Sequence, residues 1–441
     1  MQTNKYTLTL LAALSLGTGT TLAQTFNKAK MDSLFQALDQ NHKAMGSICI
    51  HKDGKEVYSR SIGYSVLDQQ RADAGTKYRI GSITKMFTAT IIFQMVEEKK
   101  LSLNATLDQF YPQLPNAQKI TIGHLLSHRS GLHNFTDDDS YTSYMEQARS
   151  QKEMLDIIAK GGSDFEPGSK AAYSNSNFVL LGYIAEKIAK KSYAALLQER
   201  IVAKAGLKNT YYGSKADAAK KESRSYSFMN GWQLMPETDM SIPHGAGAIV
   251  STPSDLDKFI DALFAGKLVS PASLERMKTI QDGYGMGMFE IPFYKKKAYG
   301  HNGGIDGFSS MLGYFPDDKL AVAYCSNGQN YPVNDIMIGV LSIYYNKDYA
   351  IPSFTAITLT AAQLDQYTGI YASKQMPLKI TISKDNTTLM AQATGQGAFP
   401  LEAVATDQFK FDAAGIQMEF RPQQKEFTLK QGGASYIFSK E

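Results

Sequence analysis

The sequence is short of cysteine, of net charge and of long apolar segments. Two cysteines, Cys49 and Cys325, stand in 441 residues, too few for the disulfide framework that stabilises small secreted domains. The net charge is +4, with 46 Lys and Arg against 42 Asp and Glu, and no basic block is interleaved with aromatic residues. This balance gives no indication of nucleic-acid binding. The composition, 43% hydrophobic and 20% charged, is that of a globular protein.

The apolar stretch near the N-terminus, from Leu8 to Leu16, is shorter than the roughly 18 residues that a membrane-spanning helix needs. Lys5 precedes it and the sequence Thr21-Leu22-Ala23 follows it, an order typical of a secretory signal peptide. We therefore expect residues 1–23 to be removed and the mature chain to be exported, periplasmic or secreted, without a membrane span. In an oxidising compartment the two cysteines can pair, but two buried free thiols are the simpler expectation.

The rest of the chain divides into two parts with different apolar patterns. Residues 24–348 mix helical and strand patterns, residues 349–361 resemble a linker, and residues 362–441 alternate apolar and polar residues without helical patterns. Alternation with period two predicts a small C-terminal antiparallel β domain. In the first part, the segment from Ala44 to Val66, with a turn at Lys52 to Lys55, predicts a β-hairpin.

Ser82 is the only serine in the chain with a lysine, Lys85, three positions later. The two residues open a segment whose Phe87, Ile91 and Met95 recur every four residues, beside further apolar residues, so we expect a buried helix. Residues three apart share one face of a helix, which places the Lys85 amine beside the Ser82 hydroxyl. A serine becomes a good nucleophile when a base is this close, and the free N–H groups of a helix N-terminus favour an anion there.

Two further motifs follow along the chain. Tyr173-Ser174-Asn175 precedes a second apolar helix, and His301-Asn302-Gly303 lies among glycines that let a substrate approach the backbone. Each motif alone has a plain structural explanation, a helix cap in the first case and a loop in the second. His124 and His128 lie four residues apart without a third ligand or a carboxylate motif, so we expect no metal site and no cofactor.

Taken in order, Ser82-x-x-Lys85, Tyr173-Ser174-Asn175 and His301-Asn302-Gly303 resemble the three motifs of the class C β-lactamase and D-alanyl-D-alanine carboxypeptidase family of penicillin-binding-protein-like serine hydrolases. The segments Leu125 to Leu132 and Gly245 to Thr252 are similar to connecting segments of that family. The resemblance implies an α+β fold, with an antiparallel sheet flanked by helices and an all-helical region. It also implies that the strands carrying Cys49 and Cys325 are neighbours.

The resemblance implies roles for individual residues as well. Ser82 is expected to attack a carbonyl carbon and form an acyl-enzyme, with Lys85 and Tyr173 as the other catalytic residues. Which of the two is the general base stays open, because a neutral Lys85 and a Tyr173 phenolate would each need a pKa lowered by about three units. The remaining expectations are substrate binding by Asn175, His301 and Gly303, and an oxyanion hole of the backbone N–H groups of Ser82 and Gly304.

The third motif distinguishes activities within this family. His301-Asn302-Gly303 departs from the Lys-Thr-Gly of class C β-lactamases and is nearer to the His-x-Gly of carboxypeptidase-like, esterase-like and D-aminopeptidase-like members. We therefore expect a D-alanyl-D-alanine carboxypeptidase-like hydrolase of small D-amino-acid peptides, such as peptidoglycan stem peptides, or of amides. The alternatives are a carboxylesterase or weak β-lactamase, and a penicillin-binding sensor that acylates without turnover. The natural substrate and the oligomeric state stay open.

Overall fold

A computed structural model describes residues 26–229, 231–354, 357–431 and 434–441, and the predicted signal peptide lies outside them. Within the described residues the helices are α1 (Lys28–Gln40), α2 (Thr84–Glu97), α3 (Ile122–Leu126), α4 (Tyr141–Tyr144), α5 (Gln151–Gly161), α6 (Asn175–Ala189), α7 (Tyr193–Leu197), α8 (Ala203–Ala205), α9 (His244–Gly247), α10 (Pro253–Phe264), α11 (Pro271–Lys278), α12 (Val333–Tyr344) and α13 (Ala361–Leu364). The strands are β1 (Ala44–Lys52), β2 (Lys55–Ile62), β3 (Tyr64–Val66), β4 (Gln70–Arg71), β5 (Tyr78–Arg79), β6 (Tyr211–Tyr212), β7 (Tyr226–Phe228), β8 (Trp232–Leu234), β9 (Ile249–Ser251), β10 (Phe289–Phe293), β11 (Lys296–Ile305), β12 (Phe308–Phe315), β13 (Leu320–Gln329), β14 (Gly369–Ala372), β15 (Lys379–Asp385), β16 (Thr388–Ala393), β17 (Phe399–Ala405), β18 (Gln408–Phe411), β19 (Ile416–Arg421), β20 (Glu426–Gln431) and β21 (Ala434–Lys440).

The main sheet has six antiparallel strands in the order β10-β11-β12-β13-β1-β2. Both faces of β13 are buried. On one face, Leu320, Val322 and Tyr324 pack in the core with α1 and α12. The residues between them are small, and Ala323 and Cys325 join the core that contains α2, α6 and α10. Side chains of opposite parity point to opposite faces of a strand, and here both faces carry helices. The predicted α+β fold is thereby confirmed.

Helix α2 lies inside the helical part of the molecule. It is buried continuously from Thr84 to Met95, as its apolar circumference predicts. The Phe87 ring stacks on Phe259 of α10 with 3.7 Å between ring centres. A helix packed on all sides has little freedom to move, so its N-terminal residues are held firmly in place.

The predicted hairpin consists of β1 and β2. Asp53 and Gly54 join the strands with φ values of 53° and 73°, as a two-residue turn of type I′ requires. Both cysteines are free and buried, and the strands that carry them, β1 and β13, are neighbours. Cys49 lies opposite Ala323 and Cys325 lies opposite Ser47, so the two thiols occupy diagonal positions and do not face each other directly.

Strands β14 to β21 close into an antiparallel barrel, which confirms the predicted C-terminal β domain. The barrel has its own apolar core, which includes Tyr371 and Phe427. The expectation that residues 362–441 have no helical pattern was wrong for the short helix α13 and for the 3-10 turns at Asp365–Tyr367, Asp412–Ala414 and Pro422–Gln424. Thr360 and Gln363 form a capping box that starts this helix, a local signal that alternation of apolar residues does not register.

Lys43, directly before β1, connects the barrel to the main sheet. Its Nζ lies 3.3 Å from a carboxylate oxygen of Glu402 and 2.8 Å from one of Asp412.

Among the described residues no helix has both the length and the apolar character needed to cross a membrane.

Candidate active site

Ser82 lies where the main sheet meets the buried helix. A 3-10 turn at Gly81–Ile83 leads directly into α2. Gly81 has a φ of 50°, and a Cβ atom at this position would lie 2.8 Å from the backbone N of Gly304 in β11. Glycine accommodates both the positive φ and the close approach. The local sequence therefore places the backbone around Ser82 against the strand that carries the third motif.

Lys85 is fully buried and directed at Ser82. Its Nζ lies 2.9 Å from Oγ of Ser82, 2.7 Å from Oδ1 of Asn175 and 2.9 Å from the carbonyl oxygen of Ala246. Burial lowers the pKa of Lys85 well below its usual value, because desolvation penalises the charged form. A neutral amine here donates its two N–H groups to the Asn175 and Ala246 oxygens and keeps its lone pair for the Ser82 proton. This arrangement suits a general base.

Tyr173 also contacts the hydroxyl of Ser82. Its O–H donates a hydrogen bond to Oγ of Ser82 at 2.7 Å, and Nζ of Lys85 lies 4.8 Å from the centre of its ring. Burial raises the pKa of Tyr173 above its ordinary value, so the phenol keeps its proton under conditions in which Lys85 is neutral. Of the two candidates for the base, the pKa shifts favour Lys85.

His128 holds the Tyr173 segment in place, a role that the sequence did not indicate. Its ring lies 4.6 Å from the Tyr173 ring between centres, and its Nδ1 accepts a hydrogen bond from the N–H of Ser174 at 3.1 Å. Burial lowers the pKa of His128, which keeps the ring neutral and Nδ1 able to accept. His124 belongs instead to the capping box of α3, so the two histidines make separate contacts.

Asn175 begins α6 and joins the second motif to Lys85. Its Oδ1 accepts from Lys85, its Nδ2 donates to Oγ1 of Thr136 at 3.0 Å, and its backbone N–H donates to Oδ1 of Asn134 at 2.9 Å. A primary amide has two N–H groups. The contacts made by the described residues therefore leave one of them for a substrate carbonyl.

The third motif lies in strand β11 and not in a loop. Strand β10 pairs with β11 only from Lys296 to Gly300, whereas β12 pairs with it as far as Ile305. A Cβ at Gly303 would lie 2.0 Å from the carbonyl oxygen of Ile80, so only glycine fits between the strand and the Ser82 turn. The backbone of Gly304 lies against that of Gly81, directly before Ser82, and both Ser82 and Gly304 line the same pocket, as an oxyanion hole with two N–H donors requires.

His301 is buried behind this strand edge, with 1% of its surface exposed. Its ring lies 4.4 Å from the Phe289 ring and 6.3 Å from the Tyr173 ring between centres, and its Nδ1 lies within hydrogen-bond distance of the Asn302 carbonyl. Burial is the main cause that lowers the pKa of His301, to about 3. His301 is therefore neutral at physiological pH and offers no positive charge to a substrate carboxylate.

An open pocket of about 580 Å³ lies over Ser82, a volume suited to a small ligand. Among its described lining residues the only charged side chain is that of Asp282, which is exposed and forms an ion pair with Arg129. The sequence did not indicate this part of the pocket, because residues 282–284 lie outside any motif and about two hundred positions after Ser82. The lining consists of Ser82, Tyr173, Asp282, Gly283, Tyr284, Phe289, Asn302, Gly303 and Gly304.

Residues 31–339 match the Beta-lactamase family. The chain belongs to this family. It is 26% identical over 431 residues to penicillin-binding protein 4* of Bacillus subtilis, with 89% of this chain and 94% of the relative covered. It is 25% identical over 296 residues to teichoic acid D-alanine hydrolase of Staphylococcus aureus, with 65% of this chain and 71% of that protein covered.

Two solved structures extend this comparison. D-amino acid amidase from Ochrobactrum anthropi SV3, complexed with D-phenylalanine, superposes with a TM-score of 0.64 and 26% identity, covering 72% of this chain and 99% of the amidase. The octameric penicillin-binding protein homologue from Pyrococcus abyssi superposes with a TM-score of 0.66 at 24% identity, and the match covers 93% of this chain and 99% of the homologue's chain. This likeness supports the fold. The predicted family is thus confirmed, and the protein is a serine hydrolase of the Beta-lactamase family.

Proposed function

We propose that the protein hydrolyses amides or esters of D-amino acids through an acyl-enzyme on Ser82. The observation that carries this proposal is the position of Lys85, whose Nζ lies 2.9 Å from Oγ of Ser82 while two other oxygens take its N–H groups. Similarity to a D-amino acid amidase and to a teichoic acid D-alanine hydrolase supports a D-amino acid as the acyl group.

Acylation begins when Oγ of Ser82 attacks the substrate carbonyl carbon and its proton passes to Lys85. The carbonyl oxygen becomes negatively charged and accepts hydrogen bonds from the backbone N–H groups of Ser82 and Gly304. Loss of one such donor typically costs about 10²–10³ in rate. The N-terminal end of α2 adds a favourable field at the same point.

The leaving group departs with a proton from Tyr173. The neutral phenol, 2.7 Å from Oγ of Ser82, protonates the leaving nitrogen and is reprotonated from Lys85, so that the amine leaves and the acyl group stays on Ser82. Water then attacks the ester by the same route in reverse. The products are the free D-amino acid and the amine or alcohol, and Ser82 and Lys85 regain their starting protonation states.

The pocket favours a substrate without a terminal carboxylate. A carboxypeptidase has to hold the carboxylate at the end of its peptide, and cationic side chains do this best. None of the described lining residues is cationic, and His301 is neutral. Asp282 pairs with Arg129 through Oδ2, and its other carboxylate oxygen, Oδ1, suits the ammonium group of an amino-acid amide. We therefore favour an amidase or esterase over the carboxypeptidase reaction that the motifs predict.

A substrate panel tests this proposal. We expect kcat/KM to be highest for D-alaninamide or a D-alanyl ester, lower for L-alaninamide, and lowest for D-alanyl-D-alanine and a chromogenic cephalosporin. The Ser82→Ala variant provides the background rate. Faster release of D-alanine from D-alanyl-D-alanine than from the amide would contradict the substrate class. A burst of one product molecule per enzyme without further turnover would indicate that the protein is a penicillin-binding sensor and not a hydrolase.

We also propose that the enzyme is exported, because residues 1–23 have the order of a signal peptide. N-terminal sequencing of the chain from a native-like host is expected to begin near Gln24 in the exported fraction. Recovery of the whole chain, with its N-terminus intact, from the cytoplasm would contradict export.

A further inference from the structure

Strand β1 carries a second group of chemically reactive side chains, which shares no residue with the active site. Ile48 and Ile50 pack in the core with α1 and α12, so the alternate residues Cys49 and His51 face α10. Nδ1 of His51 lies 2.8 Å from Oδ2 of Asp261 on that helix.

Helix α10 matches the spacing of these two strand residues. Asp257 precedes Asp261 by four positions, about 6 Å along a helix, while Cys49 precedes His51 by two positions, about 6.6 Å along a strand. Asp257 accordingly lies beside the Cys49 thiol, close enough for the two side chains to interact electrostatically. Thiol and imidazole on β1 thus each face a carboxylate on α10.

A β-bulge brings a third carboxylate to this face. Ile50 pairs with Tyr58 of β2, but the next residue, His51, pairs with Glu56, so Val57 is an extra residue in β2. A bulge of this kind redirects side chains relative to the regular alternation. Glu56 therefore shares the face of His51, and its Oε2 lies 3.6 Å from Sγ of Cys49.

The ligand atoms have the spacing of a metal site. One ligand atom from each of Cys49, His51 and Glu56 lies within 4.8 Å of the other two. In a tetrahedral zinc site, Zn–S of 2.3 Å and Zn–O of 2.0 Å put sulfur and oxygen about 3.5 Å apart, close to the 3.6 Å between Cys49 and Glu56. Thiolate and imidazole favour Zn²⁺ over Mg²⁺ or Ca²⁺, which take oxygen ligands.

Asp257 supplies an independent indication of a ligand. Its side chain has 0% exposure, and neither carboxylate oxygen has a hydrogen-bond partner within the described residues. Burial, together with the negative charges of Asp261 and Glu56, makes the ionised form of Asp257 costly. A buried carboxylate without partners is costly and calls for an explanation, and a bound cation would remove both the repulsion and the missing contacts.

We propose that Cys49, His51 and Glu56, whose ligand atoms lie within 4.8 Å of one another, bind one Zn²⁺ ion, with the neighbouring Asp257 as the fourth ligand, so that the ion connects β1, β2 and α10. Asp261 positions the imidazole through its hydrogen bond to Nδ1, as carboxylates do in many zinc sites, and leaves Nε2 for the metal. Four protein ligands make the site a structural one. The thiol of Cys49 releases its proton to solvent on binding, and Glu56, which is exposed, lies on the route of entry.

Metal binding by the untagged full chain, stripped with EDTA, tests the proposal. Titration with ZnCl₂ is expected to show one ion per chain by calorimetry and elemental analysis, and Co²⁺ is expected to give thiolate-to-cobalt charge-transfer absorption. Cys49→Ser should abolish this absorption and weaken Zn²⁺ binding by at least about 100-fold, whereas Asp261→Asn should weaken it about 10–100-fold and keep the absorption.

Cys325→Ser is the matched control, because it removes the other thiol of the chain and should leave both readouts unchanged. If Cys49→Ser does not fold, the cobalt spectra of the wild type and of Cys325→Ser still decide the matter, since absorption retained in Cys325→Ser can come only from Cys49. The proposal is overturned if the wild type binds no Zn²⁺, if Co²⁺ gives no thiolate absorption, or if Cys325→Ser removes that absorption.

Discussion

Replacing Tyr173 with phenylalanine separates the two candidates for the general base. The change removes the hydroxyl that donates to Oγ of Ser82 at 2.7 Å and leaves the ring that packs on His128. If Lys85 takes the Ser82 proton, the variant keeps its base. It then loses one hydrogen bond to the nucleophile and the acid that protonates the leaving group.

The size of the loss should depend on the leaving group. A p-nitrophenolate leaves without a proton, so acylation by a p-nitrophenyl ester should lose only the hydrogen bond, about 1–1.5 kcal/mol, which is roughly tenfold. An amide nitrogen has to be protonated as it leaves, and removal of a general acid costs about 10²–10⁴-fold. We therefore expect Tyr173→Phe to slow the amide reaction at least about tenfold more than the ester reaction.

The pH profile of ester acylation gives the second part of this test. Burial lowers the pKa of Lys85, so the fraction of neutral amine, and with it the acylation rate, rises with pH through that lowered pKa. Stopped-flow measurements on Tyr173→Phe should show this rising limb at an unchanged midpoint, with Ser82→Ala as the background. Loss of the limb would identify Tyr173 as the base, and equal losses for ester and amide would exclude Tyr173 as the acid.

Three further changes test neighbouring parts of the structure. Gly81→Ala should lower the unfolding free energy by about 1–3 kcal/mol more than Gly206→Ala. Both glycines have positive φ, but of the two only a Cβ at Gly81 would meet another backbone segment. Equal losses of unfolding free energy in urea would contradict the close approach at Gly81. Asp282→Asn should raise KM for D-alaninamide about fivefold, because an exposed ion pair contributes up to about 1 kcal/mol. KM for an acetyl ester, which has no ammonium group, should stay unchanged. An unchanged KM for D-alaninamide would exclude the contact between Asp282 and the ammonium group. Lys43→Met should lower the unfolding free energy by less than the roughly 3 kcal/mol of a broken buried ion pair, because Lys410 still pairs with the Glu402 and Asp412 carboxylates that contact Lys43. A urea midpoint equal to that of the wild type would show that the Lys43 ion pairs do not stabilise the protein.

Local patterns of apolar residues were enough to predict several helices and strands. The buried helix predicted to open at Ser82 is α2, and the second apolar helix predicted after Tyr173-Ser174-Asn175 is α6. The hairpin at Ala44 and the C-terminal β domain follow from a period-two pattern. These elements are set by which face of a segment is apolar, and the sequence states this directly.

The strand around His301 was not predictable in this way. Gly300, Gly303 and Gly304 have the composition of a loop, yet they lie in the middle of β11. The reason is long-range: the Ser82 turn packs so closely on the strand that a Cβ at Gly303 would lie 2.0 Å from the Ile80 carbonyl oxygen. A contact between segments more than two hundred residues apart leaves no local pattern.

The candidate site also combines contacts that follow from local spacing with contacts between distant segments. The contact between Ser82 and Lys85 follows from helical spacing alone, whereas the approach of Tyr173 was inferred only from the family resemblance. The support by His128 was not foreseen, because a buried histidine in a loop has no sequence signature. The proposed zinc site depends on the bulge at Val57 and on the placement of α10 along β1, which single-segment patterns do not contain.

The central claim, that Ser82 is the nucleophile, is tested most directly by trapping the acyl-enzyme. The mature protein is mixed with a D-alanyl p-nitrophenyl ester, quenched in acid within the first turnover, digested and analysed by mass spectrometry. We expect the mass of one D-alanyl group on the peptide that contains Ser82, and no such adduct in Ser82→Ala. An adduct on another residue, or undiminished hydrolysis by Ser82→Ala, would contradict the mechanism.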